Sequence, residues 1–230
     1  MRILGIDTSG TVAAAAIYDS EQDIVLAQQL VYTKRTHSQV ILPLAERLLE
    51  DTGLSLNEVD KIAVAAGPGS YTGLRIGIAA VKAMAFALDK PCCGISTLKA
   101  LCTGACPAVG GIVCAVMKAR KGLVYAGMYN FDNDGQSAPL MDDALMPEEE
   151  LLSKLSGHEK ITLTGDGASD FMYEYAPKNT FLAPAELRLQ NGAGLCRCAV
   201  NSENQKPCEL EAKYLQLVKA EKDRLDNNVK

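Results

Sequence analysis

An α/β fold of two lobes, each a mixed sheet with helices, follows from three observations. Apolar runs of strand length alternate with helical periods from residue 2 onward. A glycine turn, Gly67-Pro68-Gly69-Ser70, joins a buried strand to a nearly uncharged helix. A cluster of Gly104, Pro107, Gly110 and Gly111 then separates a first copy of this pattern from a thinner second one.

Length and composition agree with a compact protein. The 230 residues suit one or two domains, and 48% apolar with 22% charged residues exclude disorder. With no Trp and 5% aromatic residues, the core must be built from Ala, Val, Ile and Leu. A formal net charge of −5 lacks the basic footprint of a stand-alone nucleic-acid binder, so contact with RNA needs a local patch or a basic partner. Met1 to Asp7 reads as a strand, not a secretory leader, and no run has the apolar length of a membrane span. The expectation is a soluble cytoplasmic protein. Without a leader, the cysteines (Cys92, Cys93, Cys102, Cys106, Cys114, Cys196, Cys198 and Cys208) are not expected to form disulfides. They lack the paired spacing zinc prefers, and the histidines are His37 and His158 alone. No metal site is expected, and the thiols read as small buried hydrophobes.

Taken in order, Arg2 to Asp7, Val12 to Tyr18 and Ile24 to Val31 are three strands joined by short polar turns, an antiparallel meander. A helix from about Ser38 to Thr52 ends at Gly53. Its apolar residues Val40, Ile41, Leu42, Leu44, Ala45, Leu48 and Leu49 cover roughly 200°, wider than the ~100° a one-sided surface helix needs. Two explanations stand: a helix wedged deep in one core, or one serving both its own sheet and another chain. Lys61 to Ala66 is a buried strand, and Ser70 caps a helix from Tyr71 to Leu88. From Ile76 to Leu88 that helix carries one charge, Lys82, so it must be buried in a core or an interface. Pro91 to Ile95 is a strand and Ser96 caps a helix over 97–104, completing a βββαβαβα plan over residues 1–105.

Residues 106–230 form the smaller second lobe, whose C-terminal segment can pack back on the first. Gly111 to Met117 and Leu123 to Tyr129 pair around Lys118-Ala119-Arg120-Lys121-Gly122, and Phe131 to Gln136 is a turn. Pro147 to Leu155 is helical, Ile161 to Thr164 a strand, Ala168 to Tyr175 a short helix and Ala185 to Val200 a longer one. The charged final residues are anchored by Tyr214-Leu215.

Few residues suggest chemistry. Asp7, Thr8 and Ser9 at a strand end could hold a hydrated Mg²⁺ and phosphates, or could simply tie off their own turn. The glycine turn could receive a phosphate or let two elements pack closely; it does not fit the P-loop pattern. Neither a G-x-S-x-G elbow nor an H-E-x-x-H motif occurs. His37, with Ser38 and Gln39, suits capping or interface hydrogen bonding. Lys118, Arg120 and Lys121 form a local basic cluster that could meet a phosphate or an acidic partner, though solvated hairpin turns are common.

Together, Ile3-Leu4-Gly5-Ile6-Asp7-Thr8-Ser9, His37-Ser38-Gln39 with Ile41-Leu42-Pro43, and Gly67-Pro68-Gly69-Ser70-Tyr71-Thr72-Gly73-Leu74-Arg75-Ile76-Gly77 resemble the bacterial TsaB (YeaZ) family. Arg120 with Val124-Tyr125, and Tyr214-Leu215, extend the resemblance over most of the chain. It departs at Lys118-Ala119-Arg120, where the family has Asp-Ala-Arg, and at Tyr214-Leu215-Gln216, where the family has Tyr-Leu-Arg.

The resemblance implies an actin-like ATPase (ribonuclease H-like) fold and a role as a non-catalytic scaffold in making N6-threonylcarbamoyladenosine in tRNA. It implies a heterodimer with the catalytic subunit TsaD, the ATPase TsaE as a further partner, TsaC as supplier of threonylcarbamoyl-AMP, and a homodimer when the chain is alone. Contact with tRNA would be indirect, through the complex. No intrinsic cofactor is implied, with ATP a candidate only in the complex. The partner face implied is His37, Ile41, Leu42, Ala45 and Leu49 with Tyr71, Leu74, Arg75, Ile78 and Lys82, so that Ile41→Glu or Ile78→Glu is expected to fold yet lose the partner. Asp7, Thr8 and Ser9 become a vestigial phosphate site. The family's peptidase M22 (glycoprotease-like) label suggests a protease, but the metal-binding H-x-x-x-H of TsaD-type chains falls here on Thr97 and Leu101. The rivals are a stand-alone ATP-dependent kinase or ATPase of the same fold, for which Thr164-Gly165-Asp166-Gly167 is a faint second-lobe feature, and a metallopeptidase.

Overall fold

A computed structural model of the chain describes residues 1–32, 35–106 and 110–215. Gln216, one of the two departures from the family pattern, lies outside them.

The first half runs β1 (Arg2–Asp7), β2 (Val12–Asp19), β3 (Ile24–Tyr32), α1 (His37–Thr52), β4 (Lys61–Gly67), α2 (Tyr71–Ala87), β5 (Cys92–Ser96) and α3 (Thr97–Gly104). The second runs β6 (Gly111–Lys118), β7 (Leu123–Phe131), β8 (Ser137–Pro147), α4 (Glu148–Leu155), β9 (Ile161–Thr164), α5 (Ala168–Tyr175), β10 (Thr180–Leu182) and α6 (Gly192–Val200). The first sheet is ordered β3-β2-β1-β4-β5 and the second β8-β7-β6-β9-β10. In each, the first three strands pair antiparallel and the first strand then pairs parallel with the fourth. The halves are one topology used twice, which is the actin-like arrangement.

The two copies interlock through their last helices. α6, from the second half, lies on β1 and β2 of the first sheet, while α3, from the first half, lies on β6 and β7 of the second and against α6. Composition makes this approach feasible. β2 is a central strand reading Val-Ala-Ala-Ala-Ala-Ile, buried along its length, so α1 can settle on one face and α6 on the other without large side chains between them. Ala13, Ala15 and Ile17 pack with Ile41, Leu44, Ala45 and Leu48 of α1. Ala16 and Tyr18 pack with Leu195, Cys196 and Ala199 of α6.

The expected caps are present. Gly53 takes the left-handed conformation after α1, Ser70 accepts from the Gly73 amide at 3.2 Å and Ser96 from the Lys99 amide at 3.1 Å.

Two strands and one helix boundary differ from the sequence reading. β8 and β10 were not expected. β8 contains Pro139, Asp142 and Asp143 and is an outer strand with much of its length exposed, so apolar alternation barely marks it. The helix expected over Ala185 to Val200 is a 3-10 turn, Ala185–Leu187, followed by α6, which starts only after the Asn191 side chain accepts from the Gly194 amide at 2.7 Å.

After α6 the chain returns across the first lobe as a strap. Gln205 pairs with Cys92 at the sheet edge, Leu210 is buried in the core and the Lys213 amide donates to the Ala66 carbonyl at 2.7 Å. Among the described residues no cysteine is paired in a disulfide, and Cys92, Cys93, Cys102, Cys114 and Cys196 are buried. Burial pushes the Cys114 thiol up to about 12, leaving it protonated and unreactive. Among the described residues no three His, Cys, Asp or Glu side chains gather to hold a metal, and no helix is long and apolar enough to cross a membrane.

Candidate functional site

The parallel strands β1 and β4 in one lobe, and β6 and β9 in the other, end at a common cleft of about 580 Å³. Open α/β sheets bind ligands beyond the carboxyl ends of their strands, so this is where a ligand belongs. The walls are the Ser9–Thr11 turn, the Pro68–Tyr71 turn, Lys118 to Arg120, Asp166 and the strap residues Tyr214 and Leu215.

Of the phosphate motif only Ser9 borders that cleft. Asp7, Thr8 and Ser9 are each 1% exposed. The Thr8 hydroxyl donates to the Gly73 carbonyl at 2.7 Å, and both the Ser9 amide and its hydroxyl donate to Asp7 Oδ1, at 2.8 and 2.5 Å. Ser9 borders the cavity, but its hydroxyl is committed inward. Of the two roles the sequence left open for these residues, the Thr8 and Ser9 hydroxyls take the second here, tying the β1 turn to itself and to α2. Asp7 Oδ2 is buried without a partner, and burial raises this carboxyl to about 6 against the two Ser9 bonds that lower it. The glycine turn takes the packing role. Gly67 has φ 123° and lies under the Lys213 carbonyl, where a Cβ has no room.

The second-lobe wall is mixed in charge. The Lys118 amide donates to Asp166 at 3.0 Å, and its ammonium pairs with Asp170 at 2.7 Å. Arg120 is exposed and has no ion-pair partner among the described residues. At the first-lobe mouth, Tyr71 and Tyr214 stack with centroids 5.0 Å apart. The Arg75 guanidinium lies 4.1 Å over the Tyr71 ring, and its Nε donates to the Tyr214 hydroxyl at 3.3 Å.

The expected partner face is split by the structure. Ile41, Ala45, Leu74 and Ile78 are buried at 1%, 3%, 0% and 7% exposure, so they belong to the chain's own core and cannot form an outward surface. The expected phenotype of Ile41→Glu and Ile78→Glu is corrected with them, because a carboxylate there would be buried in an apolar cluster. Leu42, Tyr71 and Arg75 face outward, and Leu49 and Lys82 are half-buried. His37 is also half-buried, hydrogen-bonded to the Val12 backbone; burial nevertheless holds its pKa below the usual histidine value.

Sequence reasoning missed the residues that complete the outward face. Between α1 and α2 lies an apolar groove of about 540 Å³, with Leu42, Leu49, Leu54, Leu56 and Met84 in its wall and Glu46 and Glu50 beside them. Phe86, at the end of α2, is 81% exposed. The signal was the width of the α1 arc: a helix buried on one side whose apolar residues extend past the core has a second surface to cover.

Between the lobes, Asp143 of β8 accepts from the Tyr129 hydroxyl at 2.8 Å and from the Ser96 hydroxyl of the other lobe. Thr97 and Leu101, where a metal pair would stand, are 0% and 1% exposed within α3.

Comparison with known proteins places this geometry among relatives. The family described as TsaD, tRNA N6-adenosine threonylcarbamoyltransferase, matches residues 29–191. The tRNA threonylcarbamoyladenosine biosynthesis protein TsaB of Bacillus subtilis is 38% identical over 58% of this chain, and its Escherichia coli counterpart is 34% identical over 72%. The chain spans 57% of the length of the first relative and 72% of the second. The solved structure of YeaZ from Pseudomonas aeruginosa superposes with a TM-score of 0.78 at 27% identity, over 93% of this chain and 99% of that one.

Proposed function

The chain belongs to the TsaB (YeaZ) family, among proteins sharing the TsaD-type domain, and on that premise we propose that it is a non-catalytic subunit of the complex that makes threonylcarbamoyladenosine in tRNA. It docks a TsaD-type catalytic subunit through the outward side of α1 and α2, works with a TsaE-type ATPase in the cytoplasm, and forms a homodimer when that subunit is absent. Nucleotide is engaged only within the complex.

The observation that carries the reading is the groove between α1 and α2. A monomer gains nothing by leaving Leu42 at 49% exposure beside Leu49 and Met84, whereas an interface core is built from such residues. The carboxylates of Glu46 and Glu50 on the same rim suit a partner with Lys or Arg around its apolar contact. A non-catalytic role is supported by the committed hydroxyls of Thr8 and Ser9 and by the buried Thr97 and Leu101. The same commitments take the Thr8 and Ser9 hydroxyls away from the ATP-dependent kinase reading.

The test is co-purification with the TsaD-type protein of the same organism, followed by a threonylcarbamoylation assay with and without this chain. Stable pairing, with activity that needs this chain although it has none alone, is expected. Failure to pair, together with ATP turnover by the isolated chain, would establish the stand-alone enzyme instead.

A further inference from the structure

The chain changes sheets at Ser96. Its backbone closes β5, opposite Gly67 of the first sheet, and its side chain caps α3, accepting from the Lys99 amide at 3.1 Å. α3 itself lies on β6 and β7 of the second sheet, where Leu98, Leu101 and Cys102 pack with Val113, Ala115 and Tyr129. A helix packed on one lobe and starting from the sheet of the other makes its first turn the place where a rotation of the lobes is absorbed.

The second lobe grips that junction with one side chain. β8 carries an extra residue where it steps from Ala144 to Met141 against Ala126 and Met128 of β7, so Asp142 and Asp143 fall in a bulge opposite Gly127. A bulge re-aims a side chain out of the strand's alternation. Asp143 reaches across Gly127, where a Cβ would collide with its Oδ1 and crowd Leu98 of α3. Its two oxygens are divided between the lobes. Oδ1 accepts from the Tyr129 hydroxyl of β7 at 2.8 Å, and Oδ2 accepts from the Ser96 hydroxyl. Ser96 Oγ thus accepts from its own helix and donates to the other lobe. Burial raises the Asp143 carboxyl above its usual range and the Ser96 and Tyr129 bonds lower it, so those bonds offset the cost of keeping a carboxylate between the lobes.

We propose that Asp143 and Ser96 form an interlobe latch that fixes the angle between the lobes, and with it the width of the cleft between the Pro68–Tyr71 turn and Lys118 to Arg120. A charge-assisted hydroxyl bond is short and directional, so it is satisfied in one relation of β8 to the β5–α3 junction. Apolar contacts such as Leu98 over Gly127 tolerate sliding and do not fix an angle by themselves. Rotating the second sheet away from Ser96 withdraws the carboxylate and leaves the hinge held only by the α3 cap. The latch is a property of the isolated chain and does not rest on its role in tRNA modification.

The experiment places spin labels at Thr72 and Lys121, exposed on the two sides of the cleft, through bioorthogonal side chains that spare the native thiols. The distance distribution of the full chain is then measured. One narrow distribution is expected for the wild type. Ser96→Asp keeps an acceptor for the α3 cap but sets a second carboxylate against Asp143, and a longer, broader distribution is expected. Adding Asp143→Asn supplies an amide that donates to the new carboxylate while its oxygen still accepts from Tyr129, and the wild-type distribution should return. Asp143→Ala leaves the α3 cap in place and should show the same opening, so it reads the latch if Ser96→Asp does not fold. Melting curves are recorded for each variant. A lowered melting temperature with an unmoved distance would mean that Asp143 stabilises the fold without setting the lobe angle, and would overturn the proposal. So would a Ser96→Asp opening that the second substitution fails to reverse.

Discussion

The Thr8 hydroxyl donates to the Gly73 carbonyl at 2.7 Å, and the Thr8 carbonyl occupies the space a Cβ on Gly73 would need. Two turns distant in sequence are thus locked face to face. Gly73→Ala has to separate them or displace the N-terminal turn of α2. A loss of about 2–3 kcal/mol is expected, in the range for overpacking a tight site, read as a lower melting temperature. Ala at Gly53 is the control: it lies in open space, and its cost is limited to the left-handed backbone at φ 66°.

Neighbouring residues on α1 separate fold from docking. Ile41→Glu places a carboxylate in the first core at a site 1% exposed, and an unfolded or severely destabilised protein is expected. Leu42→Glu, at a site 49% exposed, should change stability by less than about 0.5 kcal/mol while weakening capture of the catalytic subunit tenfold or more. Calorimetry and a pull-down on the two variants read these effects independently. Undiminished capture by Leu42→Glu would remove the α1–α2 groove from the interface.

Tyr214 reaches α2 from the far end of the chain, and its stack on Tyr71 under Arg75 closes the strap. Tyr214→Ala is expected to cost about 1 kcal/mol, through loss of the ring pair and of the bond from Arg75. Tyr214→Phe keeps the ring and should recover most of it. Equal melting temperatures for the wild type and both variants would mean the stack contributes nothing.

Periodicity made most of the first lobe legible, because helices and strands that face one core carry their pattern in every turn. Ser70, Ser96 and Gly53 marked their boundaries by short-range chemistry. β8 was not legible, since an outer strand carrying Asp142 and Asp143 owes its place to pairing with β7 rather than to its own alternation. For the site, a motif identifies residues but not the direction of their side chains. Asp7-Thr8-Ser9 looks the same whether its hydroxyls face a ligand or, as here, the Gly73 carbonyl and the Asp7 carboxylate. The apolar arc of α1 likewise announced a second surface, but only packing could divide it into Ile41 inside and Leu42 outside.

Asp7 gives a pH dependence whose sign follows from its burial. The folded carboxyl titrates at about 6 against 3.8 when free, so between these values the folded state holds a proton that the unfolded state has released. Stability therefore falls as pH rises from about 4 to 6, then stays level with respect to this group. The full difference corresponds to roughly 3 kcal/mol, an upper bound for what neutralisation can recover. Asp7→Asn keeps an oxygen to accept from the Ser9 amide and hydroxyl, and removes the charge, but it leaves an amide where Oδ2 now lacks a partner. A gain of about 1–3 kcal/mol at pH 7.5 is expected, shrinking to nothing or reversing below pH 4. Denaturant unfolding of both proteins at several pH values measures it. A variant less stable than the wild type at pH 7.5 would mean that the carboxylate is held there by a favourable interaction that outweighs its burial.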